Sequence, residues 1–310
     1  MIRITVPAST SNLGPGFDAL GLALSLNLTV DIEPTGEPFG SFVFEGEGSA
    51  ELRDASHSNL IFDTMRMIAE REQAAVQPGR IRVNNEIPLA RGLGSSGAAI
   101  IAGISAFEVL SGVTLSLNTI LAYASEIEGH SDNVSAALLG SFVVSCMAAH
   151  GKVFAARIEW PSEIKAVVVI PDFMLRTHDA RAAIPATVPH QDAVFNVQRA
   201  SMMVAAVALK RRDLIRESMK DRLHQPYRQG LGPGLIDVLA LMDEADDSLS
   251  KLKGFLGLAL SGSGPTILAL ASSEFEEIGS EISAVFERNG VTSRSMVLSI
   301  EPQGRLIENI

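Results

Sequence analysis

The sequence predicts a fold of mixed helices and strands in about two domains, and three observations carry that prediction. Its 310 residues correspond to roughly two domains at about 150 residues each. From Leu20 to Ile32 every even position is Leu, Val or Ile, while odd positions include Ser25, Asn27, Thr29 and Asp31, the period-two pattern of a long half-buried strand. A glycine-rich turn after Pro88 leads into Ile100, Ile101, Ile104 and Phe107 at helical spacing, so strand, turn and helix follow in order.

Along the chain, Ile2, Ile4 and Val6 alternate with polar residues as a short strand expected to end at Pro7, with a loop to about Gly16. Pro34, Gly36 and Pro38 break the long second strand, and a further strand is expected near Phe42 to Glu45. Asn59 to Glu72 has helical spacing and Arg80 to Ile87 reads as a strand. Ser116 can cap a helix whose apolar stripe runs through Leu117, Ile120, Leu121, Ala124 and Ile127 before Gly129 stops it. Strands follow at 141–147 and 152–159, and Trp160-Pro161 is the expected domain boundary, dividing the chain into 1–160 and 161–310. Beyond it the pattern is strand 164–170, helices near 192–222 and 234–245, then strand, helix and strand, an α+β arrangement.

Composition excludes several functions. The net charge of −11 lacks the basic footprint of a nucleic-acid binder. The single Cys146 allows neither an internal disulfide nor a multi-thiolate metal site, so the chain reads as one from a reducing compartment, with the cytoplasm as the expected location. Arg3, Thr5 and Pro7 interrupt any apolar run at the start, so no secretory signal is expected there. The uncharged stretch from Gly254 to Ser273 is interrupted by four glycines and Pro265, so it reads as two short strands around a turn and not as a membrane span. Neither nucleic acid nor membrane is expected as a partner.

The strongest chemical signal is Pro88-Leu-Ala-Arg91-Gly92-Leu93-Gly94-Ser95-Ser96-Gly97, after a strand and opening a helix. Glycines let backbone approach a phosphate closely, and the first N–H groups of a helix have no intrahelical partner, so they can bind oxygen with help from the helix dipole. Gly92, Gly94 and Gly97 also fit a dinucleotide-binding G-x-G-x-x-G, but no Asp or Glu lies between Glu108 and Glu126 to hold a ribose. The segment has no lysine for a Walker loop, and the chain has no G-x-S-x-G nucleophile elbow.

These residues, with Ser9-Thr-Ser-Asn12-Leu-Gly-Pro-Gly16-Phe-Asp18 and Leu260-Ser-Gly-Ser-Gly-Pro-Thr266, resemble in order and spacing the three motifs of the GHMP small-molecule kinases. Gly129-His-Ser-Asp-Asn133-Val and the later arginines are most similar to the branch that phosphorylates the hydroxyl of the amino acid L-homoserine. The resemblance implies a two-domain α+β fold, with an N-terminal phosphate-loop domain, a ferredoxin-like C-terminal domain and the site between them. It also implies ATP and Mg2+ as cofactors, and a homodimer. Gly97 departs from the family, which usually has alanine there.

Residue by residue, the resemblance implies that the loop Pro88, Arg91, Gly92, Leu93, Gly94, Ser95 and Ser96 binds ATP, with Asn59 at the adenine. Ser96 and Glu126 are expected to hold magnesium, with Glu128 as the competing match. Arg181 and Arg228 are expected to grip the substrate carboxylate, since a guanidinium offers two parallel bonds to it. Asn12 and Asp18 would hold the other end, with Asp18 opposite the ammonium, and Thr177 would lie near the transferred phosphoryl group. Asn133 stands where some relatives carry an aspartate base. An orienting role is expected for it, because a loose phosphoryl-transfer transition state depends on positioning more than on early deprotonation. Two alternatives remain at this stage: a mevalonate- or sugar-type kinase of the same family, and a non-catalytic ligand-binding regulator on the same fold.

Overall fold

The computed structural model describes residues 1–35, 42–49, 59–242 and 247–310. Among the described residues eleven strands form a seven-stranded and a four-stranded sheet. In the first, β1 (Ile2–Asn12) lies between β2 (Gly16–Pro34) and β11 (Leu306–Asn309), and β2 continues to β4 (Gly79–Asn85) and β3 (Phe42–Gly46). A hairpin of β5 (Phe142–Met147) and β6 (Val153–Ile158) joins β2 near its start.

The period-two run is β2, and its alternating burial follows the alternating sequence. Its length lets it serve two partners on one side, β5 through Leu20–Leu22 and β4 through Leu28–Pro34. Corrected here is the expected end at Pro7. The first strand continues to Asn12, because its register to β2 shifts between Pro7 and Ala8 and β11 reaches only Thr5 on the other side. Proline's missing N–H is therefore not demanded at that step of the ladder. The continuation carries Ser9, Ser11 and Asn12 into the cleft region as strand residues.

Among the described residues this body has four helices, α1 (Leu60–Glu72), α2 (Ser95–Ser111), α3 (Leu117–Glu128) and α4 (Asp132–Leu139), the last not foreseen from periodicity, with α1 packed on α2. Ser116 caps α3 by accepting from Thr119 N–H, and Gly129 ends it at φ 86°. Helix α2 is apolar on nearly every side and is buried accordingly, from Ala98 to Leu110.

The second body holds β7 (Lys165–Pro171), β8 (Phe255–Leu260), β9 (Ile267–Ala271) and β10 (Ser293–Leu298). The sheet order β10-β7-β9-β8, with helices between β7 and β8 and between β9 and β10, is the ferredoxin-like βαββαβ arrangement. Between β7 and β8 come α5 (Thr177–Ala182), α6 (His190–Ala208), α7 (Ile215–Ser218), α8 (Gln225–Arg228), α9 (Leu235–Ala240) and α10 (Asp247–Ser250). Helix α11 (Phe275–Arg288) precedes β10. Trp160 is buried at the junction and donates its indole N–H to the Ile164 carbonyl at 2.9 Å. The expected division at 161–310 needs one correction: β11 returns to pair with β1, so the last residues belong to the first sheet. The expected strand breakers Gly36 and Pro38, and residues 243–245 of an expected helix, lie outside the described residues. Among the described residues no helix is long and apolar enough to cross a membrane.

Close approach of α1 and α2 depends on Gly103, where an added Cβ would lie 2.5 Å from the Ile61 carbonyl oxygen and 2.8 Å from Thr64 Cβ. Gly103→Ala should therefore destabilise by about 1–3 kcal/mol through overpacking. Helix propensity alone would give a gain of up to about 1 kcal/mol. Urea unfolding at equal m-value distinguishes the two signs.

Candidate active site between the two sheets

A cleft of about 280 Å³ opens where the start of α2, the end of β1, α5, α8 and the β8–β9 turn meet. At its head, Gly94 stands before α2 at φ 70° without any side-chain cap, which leaves the first N–H groups of a long helix free to bind an anion. The loop is held tightly on its far side. A Cβ on Gly92 would lie 2.2 Å from the Ser261 carbonyl oxygen, and one on Gly94 2.1 Å from Ser9 Oγ. Both residues adopt positive φ, so glycine is required by space and by conformation alike.

The other two motifs lock onto this loop. Ser261 donates to the Gly92 carbonyl at 2.5 Å, with Thr10 Oγ1 2.8 Å away, and Ser9 N–H donates to the Leu93 carbonyl at 3.1 Å. Asn12 donates to the Gly262 carbonyl at 2.9 Å and accepts from Asp18 N–H at 3.1 Å. Asn12, Leu13 and Asp18 all carry positive φ, a concentration of uncommon backbone at one turn. Asn133 is held from both ends, donating to Ser9 Oγ at 2.9 Å and accepting from Ser11 Oγ at 3.0 Å. It is a fixed amide at the cleft wall.

Opposite the helix terminus stands a group of charges. Asp18 and Arg181 form a bidentate pair at 3.0 and 2.5 Å, each about a third exposed. The hydrogen bonds that Arg181 donates to Asp18 hold its pKa above its already high value. Arg228 is 2% exposed and donates to the carbonyls of Ala180 and Gly262, both at 3.1 Å. Burial, then repulsion from Arg181, lowers its pKa to about 10, so it stays protonated at neutral pH. Phe17 lies beneath both, with the guanidinium carbons of Arg181 and Arg228 5.4 and 5.2 Å from its ring centre, within reach of cation–π attraction.

The acidic partner of the loop is Glu128. It accepts from Ser96 Oγ at 2.5 Å, and burial is the largest influence on its carboxyl, holding the pKa up against the pull of Ser96 and His130. Glu126 does not reach the cleft: it pairs with Arg71 at 2.6 and 2.8 Å on the outer surface. Of the two expected glutamates it is the competing match Glu128, and not Glu126, that stands against Ser96. On a helix, positions two apart face different ways, and the one facing α2 is set by tertiary packing. His130 bonds Asp132 at 2.6 Å. Burial opposes its imidazolium, but Asp132 and Glu128 outweigh burial and raise the pKa.

Other expected residues stand apart. Arg91 turns away, donating to the carbonyls of Pro171 and Phe173 and so bracing the loop against β7. Pro88 lines a neighbouring cavity with Arg91, and the Leu93 side chain is buried. Asn59 caps α1, accepting from Ile61 N–H at 2.9 Å, and is not among the cleft residues; His57 and Ser58 before it lie outside the described residues. Thr177 is in the cleft, its Oγ1 3.4 Å from Ser263 Oγ. Gly97 packs against α4, where a Cβ would lie 3.3 Å from Asn133 Cβ. The motif reading assigned no role to Phe17, Ser263 or the buried His224, which meet the site from distant segments.

Two bodies joined over a glycine loop at a helix N-terminus, facing a charged pocket, form a cleft built to bind an anionic small molecule. The family model "GHMP kinases N terminal domain" matches residues 59–141 and "GHMP kinases C terminal" matches 203–288. The chain belongs to the GHMP kinase family. Within it, the homoserine kinase of Carboxydothermus hydrogenoformans is 40% identical, covering 99% of this chain and 96% of that protein. The homoserine kinase of Schizosaccharomyces pombe is 36% identical, covering 96% of each. The crystal structure of homoserine kinase from Cytophaga hutchinsonii superposes with a TM-score of 0.82 at 26% identity, covering 99% of this chain and 97% of that one.

Gly94→Ala places a methyl against Ser9 and strains φ, and should weaken binding of an ATP analogue at least tenfold while lowering stability by about 1–3 kcal/mol. Titration calorimetry alongside thermal unfolding measures both.

Proposed function

We propose that the chain is a homoserine kinase, transferring the γ-phosphoryl group of ATP to the side-chain hydroxyl of L-homoserine to give O-phospho-L-homoserine, a step in threonine biosynthesis. The observation that carries this reading is the charge layout of the cleft: Asp18, Arg181 and the buried Arg228 lie in one pocket with the start of α2. An α-amino acid presents a carboxylate and an ammonium together. Two guanidinium groups suit the first and Asp18 suits the second, while the phosphate loop supplies the other half of a phosphoryl transfer. The relatives matched along nearly the whole chain carry the same activity in their names.

Ser96 and Glu128 offer adjacent hard oxygen donors beside the loop, a donor set that fits Mg2+. Bound there, the ion would neutralise phosphate charge. The chain's own residues do the rest. The α2 N-terminus with Ser95 and Ser96 orients the phosphates, Arg181 and Arg228 fix the acceptor's carboxylate, and Asp18 fixes its ammonium. Asn12 holds Asp18 in place through its backbone N–H, and Thr177 stands beside Ser263 near the reacting end. Asn133, tied to Ser9 and Ser11, keeps the wall of the cleft rigid and orients the acceptor, and the hydroxyl proton leaves to solvent or to a phosphate oxygen. Positioning and charge stabilisation then carry the rate. Asn59 and the Pro88–Leu93 backbone bound the nucleotide end in this reading. A homodimer in the cytoplasm belongs to it as well, on the family resemblance and the single cysteine.

The test is magnesium-dependent ADP release with L-homoserine, L-serine, L-threonine, mevalonate and galactose as acceptors. Turnover with homoserine far above the rest is expected; preference for another acceptor would overturn the substrate assignment and keep the kinase. Glu128→Gln should lower kcat at least about 100-fold and raise the Mg2+ requirement, whereas Glu126→Gln should stay within about threefold. The reverse pattern would return the metal to Glu126.

A further inference from the structure

Arg228 is the deeper of the two arginines, and its position is imposed from outside the cleft. The imidazole of His224, fully buried one helical turn earlier, lies between it and the first motif. Its Nε2 is 2.7 Å from the Gly14 carbonyl oxygen. A carbonyl only accepts, so Nε2 carries the proton. The ring's Nδ1 is 3.2 Å from Arg228 Nη1, and guanidinium nitrogens only donate, so Nδ1 must be the acceptor. The two contacts together admit one tautomer of a neutral ring. Burial pushes the pKa of His224 down, and the positive charge of Arg228 acts the same way against Asp221.

The ring is itself held. Asp221, with a fully buried side chain, accepts from Leu223, His224 and Gln225 N–H at 2.9, 3.0 and 2.7 Å and from Asn196 Nδ2 at 2.6 Å. With Nε of Arg228 on Ala180 and Nη1 on Gly262 and His224, among the described residues Nη2 is the nitrogen that no protein acceptor takes, and Arg228 lines the cleft.

We propose that His224 is a positioning residue: as a neutral acceptor at Nδ1 it fixes the rotation of the Arg228 guanidinium so that Nη2 faces the acceptor's carboxylate. Through Gly14, two residues from Asn12, it ties that orientation to the turn that carries Asp18. The carboxylate part rests on the proposed function above.

Two substitutions separate this role from packing. The oxygen of an asparagine side chain occupies the place of imidazole Nδ1, and the amide of a glutamine reaches the place of Nε2. His224→Gln keeps the bond to Gly14 and removes the acceptor for Arg228; its KM for L-homoserine should rise about tenfold, the worth of one positioning hydrogen bond. Its kcat and its KM for ATP should stay within about twofold. His224→Asn restores the acceptor and should recover most of that KM. With L-homoserine carboxamide, which has no carboxylate, His224→Gln and wild type should converge. Equal rises in KM for both variants, or an equal effect on the carboxamide, would overturn the proposal. If His224→Gln does not fold, ¹⁵N-histidine NMR of the wild-type enzyme decides. A neutral Nε2–H ring whose Nδ1 signal moves on adding L-homoserine supports the role; an Nδ1–H ring or an unmoved signal refutes it. Wild-type preference for a different acceptor would refute the substrate reading, while the tautomer result would still stand or fall alone.

Discussion

A buried positive charge must be matched where it sits, and in this fold that charge is Arg228. At 2% exposure it has almost no water to turn to, and leaving a buried charge unpaired would cost several kcal/mol. Its bonds reach α5 at Ala180, the β8–β9 turn at Gly262 and His224 behind it. Through His224 it is also linked to the first motif at Gly14. Segments far apart in the chain are thus required to meet at one guanidinium, and the cleft is the space left beside it. Its pKa, lowered to about 10, records the cost of burial and of the neighbouring Arg181 without discharging the group at neutral pH.

The same economy explains how a chain of net charge −11 can bind anions. No broad positive surface is used. In the proposed reading, oriented backbone N–H groups at α2 would serve one anion, and the two arginines beside the Phe17 ring would serve the other. Asp18 and Arg181 satisfy each other, so in the proposed reading a zwitterionic ligand would replace an internal ion pair with two external ones of the same kind. In that reading a ligand with only one of the two charges would leave a partly buried group without its partner, and selectivity would follow from that penalty.

Much of this was legible in the sequence. The alternation from Leu20 to Ile32 gave β2, Ser116 and Gly129 marked the ends of α3, and the glycines and serines after Pro88 marked the start of α2. What could not be read locally depends on pairing partners. Pro7 looked like a strand end because nothing in the sequence announces that the ladder shifts at that residue. Glu126 and Glu128 are two residues apart on one helix, and only the placement of Arg71 and Ser96 separates their roles. Arg91 belongs to the loop by sequence, but the carbonyls of Pro171 and Phe173 draw it away from the anion side. Phe17 and His224 carried no chemical signature, since what distinguishes them is their contact with Arg181 and Arg228, which pattern alone does not show.

The most direct test of the account is the comparison of kcat/KM for L-homoserine with that for 4-hydroxybutyrate and 3-aminopropan-1-ol. Each analogue keeps the reacting hydroxyl and lacks one of the two charges. The paired-charge pocket predicts a loss of about 10- to 100-fold or more for each, the worth of one or more charge-assisted hydrogen bonds. Either analogue turning over as efficiently as homoserine would contradict it, because Arg181 and Arg228, or Asp18, would then have no part in holding the acceptor.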